Sequence, residues 1–240
     1  GLAETQQLLR DYAVNVTTHH VDVSQKQAVY DWADAVVAEH GKVNVIVNNA
    51  GVALSGTVGA LELSDYEWIM NINFWGVIYG TKAFLPYLEQ SGDGHIVNIS
   101  SVFGLTAQPL MSGYNASKFA VRGFTEALRQ DLELANSCVS ATCVHPGGIK
   151  TNIAKAARVS DSVAQMTGKD SAAATKEFEM TFLTTADHAA ATILRAVQHN
   201  KRRVLIGADA RLYDGFARLM PAFYQRVFTA VVRMRSRKSA

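Results

Sequence analysis

The stretch HIVNISSVFGLTAQPLMSGYNASKF, His95–Phe119, decides how the rest of the chain is read. It opens on His95–Ile96–Val97–Asn98–Ile99, a short apolar run of the kind buried on both faces of a parallel sheet. It ends inside a helical pattern that runs from Ser112 to about Ala135. Outward from it the same alternation repeats. Val43–Val47 and Val139–Val144 read as strands, the latter closed by Pro146–Gly147–Gly148, and Val204–Leu205–Ile206 as another. Ser24 with Gln27 is a capping-box spacing that opens a helix to about His40, stopped by Gly41. Ser64 with Glu67 opens a second helix, to about Gln90, and Thr184–His199 is a third. Before them Leu2–Tyr12 reads as helix, and Val14–Asn15–Val16–Thr17–Thr18, leading to Val21–Asp22–Val23, as strand. Strand alternating with helix predicts an α/β chain, a doubly wound parallel sheet covered on both faces.

Composition narrows the class. The chain has 240 residues, 48% hydrophobic and 18% charged, which fits one globular α/β domain and excludes general disorder. No apolar run approaches the ~18 residues of a membrane span, and Gly1–Arg10 does not read as a signal peptide. Two cysteines, Cys138 and Cys143, are expected as buried free thiols in a reducing, cytoplasmic setting. The histidines are scattered without metal-ligand spacing, so no metal site is expected. The net charge of +2 hides an asymmetry: residues 201–240 hold ten Lys or Arg against Asp209 and Asp214, a charge of +8, against −6 for the rest.

Tyr114 and Lys118 lie four apart at the start of a helix, so their side chains share one face. A phenol is a poor base at neutral pH, and a cation one turn away favours its phenolate, which suits proton exchange with an alcohol or carbonyl. Alone, the pair reads as an ordinary surface pair. Its context is Ser101, thirteen residues earlier at a strand end, where open α/β sheets bind ligands. Asn48–Asn49–Ala50–Gly51 ends another strand with small and amide residues, and Asn73 lies in the helix between.

On these residues, with Tyr114–Asn115–Ala116–Ser117–Lys118 and Pro146–Gly147 in order, the chain resembles the classical short-chain dehydrogenase/reductase family. The resemblance implies a Rossmann-like fold, and a single domain over 1–207 with a lid at about 151–184. It implies an NAD(P)-dependent oxidoreductase interconverting a secondary alcohol and a ketone by hydride transfer. Tyr114 would be the general acid/base, Lys118 would bond the nicotinamide ribose and lower the Tyr114 pKa, and Ser101 would bond the substrate oxygen. Asn73 would hold a relay water through its carbonyl in a distorted helix. Asp22 and Val23 would line the adenine pocket, and Asn49, Ala50 and Gly51 the adenine-ribose site. Pro146, Gly147, Ile149 and Thr151 would meet the nicotinamide, where Ile149 and Thr151 hold its carboxamide. Asp22 as a helix cap, Asn73 as a plain helix-face amide and Thr151 as an N-cap stay open beside these roles.

One part of the family pattern is missing from the sequence. No glycine-rich turn follows a first strand, and by topology Gly1 falls in the helix after the family's second strand, so the first βαβ unit is lacking. The expectation is an incomplete record of the functional protein. A gap of ~10 Å would open between the strand at 16–21 and that at 43–47, with two exposed apolar edges. The residue that selects NAD or NADP goes with that unit, so the cofactor is either.

Ile153, Met166, Phe178, Met180, Phe182 and Leu183 of the lid, with Val102, Phe103 and Leu105, suggest an apolar substrate, unless they only pack on the body. Ser101, Phe103 and Tyr114 would touch it. The helices of Trp75 and Phe124 would form a homodimer or homotetramer, by resemblance. Residues 208–240 read as a basic amphipathic extension, with 212, 216, 219, 223 and 227 at helical spacing. It is expected to cover the substrate pocket or an interface; peripheral contact with an anionic membrane is the alternative, and no nucleic acid is expected. The rival to an enzyme is a non-catalytic binding or scaffold protein of the same fold.

Overall fold

The computed structural model describes residues 1–170, 173, 176 and 179–237; Phe178 of the expected lid lies outside them. Four parallel strands form the main sheet: β1 Val45–Asn48, β3 Gly94–Ile99, β4 Val139–Pro146 and β6 Arg203–Ile206, side by side in that order. A second, two-stranded parallel ladder joins β2 Leu54–Ser55 to β5 Arg158–Val159. The helices are α1 Leu2–Leu8, α2 Lys26–His40, α3 Leu63–Met70, α4 Gly76–Gln90, α5 Ser112–Leu134, α6 Ser162–Thr167, α7 Ala186–Gln198, α8 Ala208–Leu219 and α9 Phe223–Arg237.

Register and the two-residue side-chain period sort the sheet into two faces. Ile46, Ile96 and Ala141 are aligned across β1, β3 and β4, and they pack with Phe84 and Leu88 of α4, Leu132 of α5 and Val29 and Ala33 of α2. On the opposite face Val97, Val144 and Ile206 pack with Ala189 of α7. Val45 and Val47 share that second face but are each 46% exposed, so its β1 side is open to solvent. Among the described residues β3 and β4 have strand neighbours on both sides, and β1 is an edge.

The N-terminal strand expected around Val16–Val21 does not form; residues 15–22 are irregular. A strand is stabilised by its neighbours' hydrogen bonds, and among the described residues no strand lies beside this segment. The sheet is therefore not split by a gap, and one apolar edge is exposed instead of two. The helix starts differ as well. Ser24 caps nothing and donates to Asp22 Oδ1 at 2.7 Å, and α2 starts at Lys26. The capping box of α3 pairs Glu62 with Asp65, two residues before the expected one. The C-terminal extension is two helices, broken at Pro221, since proline cannot supply the N–H that a continuous helix needs there. Cys143 is buried but Cys138 is exposed, on the turn that precedes β4. No helix among the described residues is long and apolar enough to cross a membrane.

Candidate active site

All four strands of the sheet are parallel, so their carboxyl ends share one side of the molecule, and the chain leaves them at Asn49, Ser100, Gly147 and Gly207. The crevice there is held by buried polar pairs. Asn48 donates to Asn98 Oδ1 at 2.8 Å and to Thr81 at 3.2 Å, and Asn98 donates to Thr125 of α5 at 3.0 Å. Gly80 is required beside them, because a methyl group there would run into Asn48 Oδ1.

The two serines after β3 have separate tasks. Ser100 donates to the Lys118 carbonyl at 2.7 Å and ties the strand end to α5. Ser101 accepts from the Phe103 N–H at 3.1 Å, opening a 3₁₀ turn at Val102–Gly104, which leaves its own proton for the Tyr114 oxygen beside it. His145 contacts the Ser101 carbonyl through Nδ1 at 3.0 Å. Burial drives the His145 pKa down to about 4, with the Ser101 bond a smaller opposing effect, so the ring is neutral at pH 7.

Tyr114 is 8% exposed, with its ring edge-to-face on Phe103 at 6.1 Å. Burial pushes its phenol above the ordinary value of 10, and a hydrogen bond with Ser101 works the other way. Lys118, one turn on, is buried and donates to the Ile99 carbonyl at 3.0 Å, with Nζ 5.8 Å from the Tyr114 ring centre. Burial lowers its pKa to about 8. The structure thus brings Ser101, Phe103, Tyr114 and Lys118 into one place.

Asn73 belongs to the same cluster. The helix widens into a π-turn over Asn71–Trp75, a local distortion frequent at functional sites. Within it the Asn73 side chain is fully buried, accepts from Val52 N–H at 2.8 Å, and donates to Val52 O at 3.0 Å and Ser117 at 3.1 Å. It therefore fixes the chain just past Asn49–Ala50–Gly51, and Ser117 passes the link on to the Tyr114 carbonyl at 2.8 Å.

The remaining expected residues fall into two groups. Ile149 pairs with Thr184 in a single parallel bridge, next to Pro146 and Gly147, while Thr151 is exposed on the following turn. Asp22 accepts from the Ser24 backbone at 2.9 Å as well as from its hydroxyl, and these bonds lower its pKa. Val23 packs on Gly76, where an added methyl would stand 3.0 Å from Val23 Cγ2. Both belong to the approach to α2. Three participants carry no local sequence signal. Thr184 and Asp209 hold the loop after β4, and the buried Tyr224 of α9 accepts from Ala107 N–H at 3.1 Å, in the loop after Ser101.

Gly51 shows what the crevice can hold. A methyl there would stand 3.3 Å from Asn73 Oδ1 and 3.4 Å from Lys118 Nζ, so glycine leaves this backbone open beside a buried cation. A buried ammonium beside an unobstructed backbone suits the hydroxyls of a nucleotide ribose. The residues present fit the nicotinamide-ribose end of a dinucleotide, and the sequence contains no glycine-rich turn for its pyrophosphate.

Comparison with known proteins gives a consistent outcome. The short chain dehydrogenase family pattern matches residues 1–161. SadH of Mycobacterium tuberculosis (strain ATCC 25618 / H37Rv) is 48% identical over 233 residues, 97% of this chain and 82% of SadH. A 3-alpha-(or 20-beta)-hydroxysteroid dehydrogenase of the same organism is 38% identical over 132 residues, 55% of this chain and 50% of that protein. Among solved structures, a short chain dehydrogenase/reductase from Burkholderia phymatum in complex with NAD superposes with a TM-score of 0.79 at 30% identity. That match covers 91% of this chain and 82% of the other.

Proposed function

This chain belongs to the short-chain dehydrogenase family, and from that premise we propose that it interconverts a secondary alcohol and a ketone with NAD or NADP. The observation that carries the reading is the convergence of Ser101, Tyr114 and Lys118, all buried, at the carboxyl ends of parallel strands. When bound, the nicotinamide accepts or supplies the hydride. Tyr114 gives its phenolic proton to the ketone oxygen in reduction and takes it from the alcohol in oxidation. Ser101, whose oxygen is already engaged by Phe103 N–H, turns its proton to the same oxygen, where charge develops. Lys118, with a pKa near 8, sits one turn from Tyr114 as the proton reservoir and bonds the ribose hydroxyls. Asn73 holds the turn at Val52 and the π-distorted helix through which that proton reaches solvent.

The substrate is an apolar molecule around one reacting oxygen. Ile153 packs in the cluster of Leu54, Ile69 and Tyr114, and Phe103 lies against Tyr114 itself, so the wall beside the phenol is apolar. The hydroxysteroid dehydrogenase among the relatives is named for an alcohol of this kind. Self-association runs through α4 with the π-turn before it, where Trp75 is 43% exposed, and through α5, where Phe119 is 38% exposed. The basic C-terminal helices serve as a cover on the crevice side, anchored by Tyr224.

The test is NADH- and NADPH-dependent reduction of a panel of apolar ketones by the natural polypeptide that carries these residues. Turnover that Tyr114→Phe abolishes supports the reading. Ketone reduction by Tyr114→Phe at the wild-type rate sinks the mechanism. No turnover and no dinucleotide binding in the unaltered protein favours a non-catalytic member of the fold.

A further inference from the structure

Asp209 occupies the second position of α8, but its carboxylate leaves the helix and crosses to the loop after β4. Its Oδ2 accepts from the Gly148 N–H at 2.7 Å. A methyl group added to Gly147, or to Gly207 before α8, would run into the same carboxylate. Gly207 also has φ +101°, a backbone conformation that favours glycine. Two glycines therefore leave room for one acidic side chain, and the helix N-terminus favours a negative charge there. The rest of the loop is tied as closely. Gly147 N–H donates to Ile206 O at 2.9 Å, Thr184 N–H to Gly148 O at 3.2 Å and Lys150 N–H to Thr184 O at 2.9 Å. With its backbone pinned at these points, the segment from Gly147 to Lys150 has one conformation in which to present Ile149 and, just beyond, Thr151.

We infer that Asp209 is a positioning residue that latches the loop after β4, and through it holds Ile149 and Thr151 in place for the nicotinamide end of a dinucleotide. This rests on the function proposed above. Asp209 itself touches the loop backbone, so its effect is confined to the end of the ligand that the loop faces.

The experiment compares binding of NADH and NADPH, read by nicotinamide fluorescence, with binding of ADP-ribose, which lacks the nicotinamide. Asp209→Ala is expected to weaken the preferred reduced dinucleotide by about tenfold or more, as for loss of one charge-assisted hydrogen bond, and ADP-ribose by less than about twofold. Asp209→Asn keeps an oxygen acceptor for the Gly148 N–H and is expected to stay within about threefold of wild type. A second measurement needs no ligand. Gly147→Ala should lower the thermal midpoint when Asp209 is present and much less in an Asp209→Ala background, because the obstacle is gone. Equal losses for ADP-ribose and the reduced dinucleotide, no loss in Asp209→Ala, or additive effects of the two substitutions on the midpoint would each overturn the latch. Wild-type protein that binds neither NADH nor NADPH overturns the proposed function and this inference with it. Wild-type binding with Asp209→Ala unchanged overturns the inference alone.

Discussion

Val14–Asn15–Val16–Thr17–Thr18 and His95–Ile96–Val97–Asn98–Ile99 are five-residue runs rich in β-branched residues, four in the first and three in the second, each with one amide, and they have opposite fates. The second is the centre of the molecule: Ile96, Val97 and Asn98 have no exposed surface, and β3 is paired on both sides. The first forms no strand, and Val14, Asn15 and Thr17 are exposed. The amides show the difference most clearly. Asn98 reaches Asn48 on one side and Thr125 on the other, so its burial leaves no polar group unpaired. β-propensity describes how well a side chain fits a surface that must already be there, and among the described residues no strand offers one beside residues 14–18.

The contrast predicts where the molecule is sensitive. In the crevice built on β3, Tyr114→Phe should lower turnover by ~10²- to 10⁴-fold with little change in stability, as judged by steady-state rates and a thermal melt. A variant within threefold of wild type would show that the crevice owes nothing to the phenol. On the face that β3 shares with α4, Phe84→Ala should cost ~3–5 kcal/mol in urea unfolding, because a fully buried ring that also meets Trp32 edge-on at 5.0 Å is removed.

His145 makes the same region sensitive to pH. The unfolded chain takes up its proton near pH 6.5, whereas the folded protein resists until about pH 4. Stability from this group is therefore lost as pH falls from 6.5 to 4, by about 3 kcal/mol in total, and the penalty is constant below that. His145→Gln should lack that part of the acid slope when urea midpoints are compared across the range. Parallel slopes in the two proteins would mean that the ring is not the titrating group. The smallest effects test the comparison directly. Val97→Thr should cost ~1–3 kcal/mol, since it buries a hydroxyl among apolar neighbours, whereas Val16→Thr should stay within ~0.5 kcal/mol. Equal costs would break the contrast drawn between the two runs.

The central elements could be read from the sequence because they are buried on both sides. A strand with helices over both faces needs a continuous apolar run, as in β3 and β4, and α5 repeats its apolar face over more than twenty residues. Ser101, Tyr114 and Lys118 were legible because a strand end and the next helix start are linked by a short connection. Helix caps were less so: Ser24 with Gln27 and Ser64 with Glu67 have the right spacing, but Asp22 and the Glu62–Asp65 pair took the available hydrogen bonds. The break between α8 and α9 had its signal in Pro221, which the helical spacing on either side obscured. Asp209 and Tyr224 could not be found locally, because their partners Gly148 and Ala107 lie 61 and 117 residues away.

By itself the sequence determined the kind of fold, its central strands and the long helix after them, and the side-chain types gathered for proton transfer, because periodicity and local spacing act within a few residues of one another. Tertiary structure decided which β-branched run became a strand, which serine faces the crevice and which glycine makes room for a carboxylate. It also decided that a lysine and a tyrosine four residues apart would be buried instead of solvated. Each of these depends on what stands opposite a residue in space, on a neighbouring strand's free hydrogen bonds or on water withdrawn from a charge, and so on segments far away in the chain.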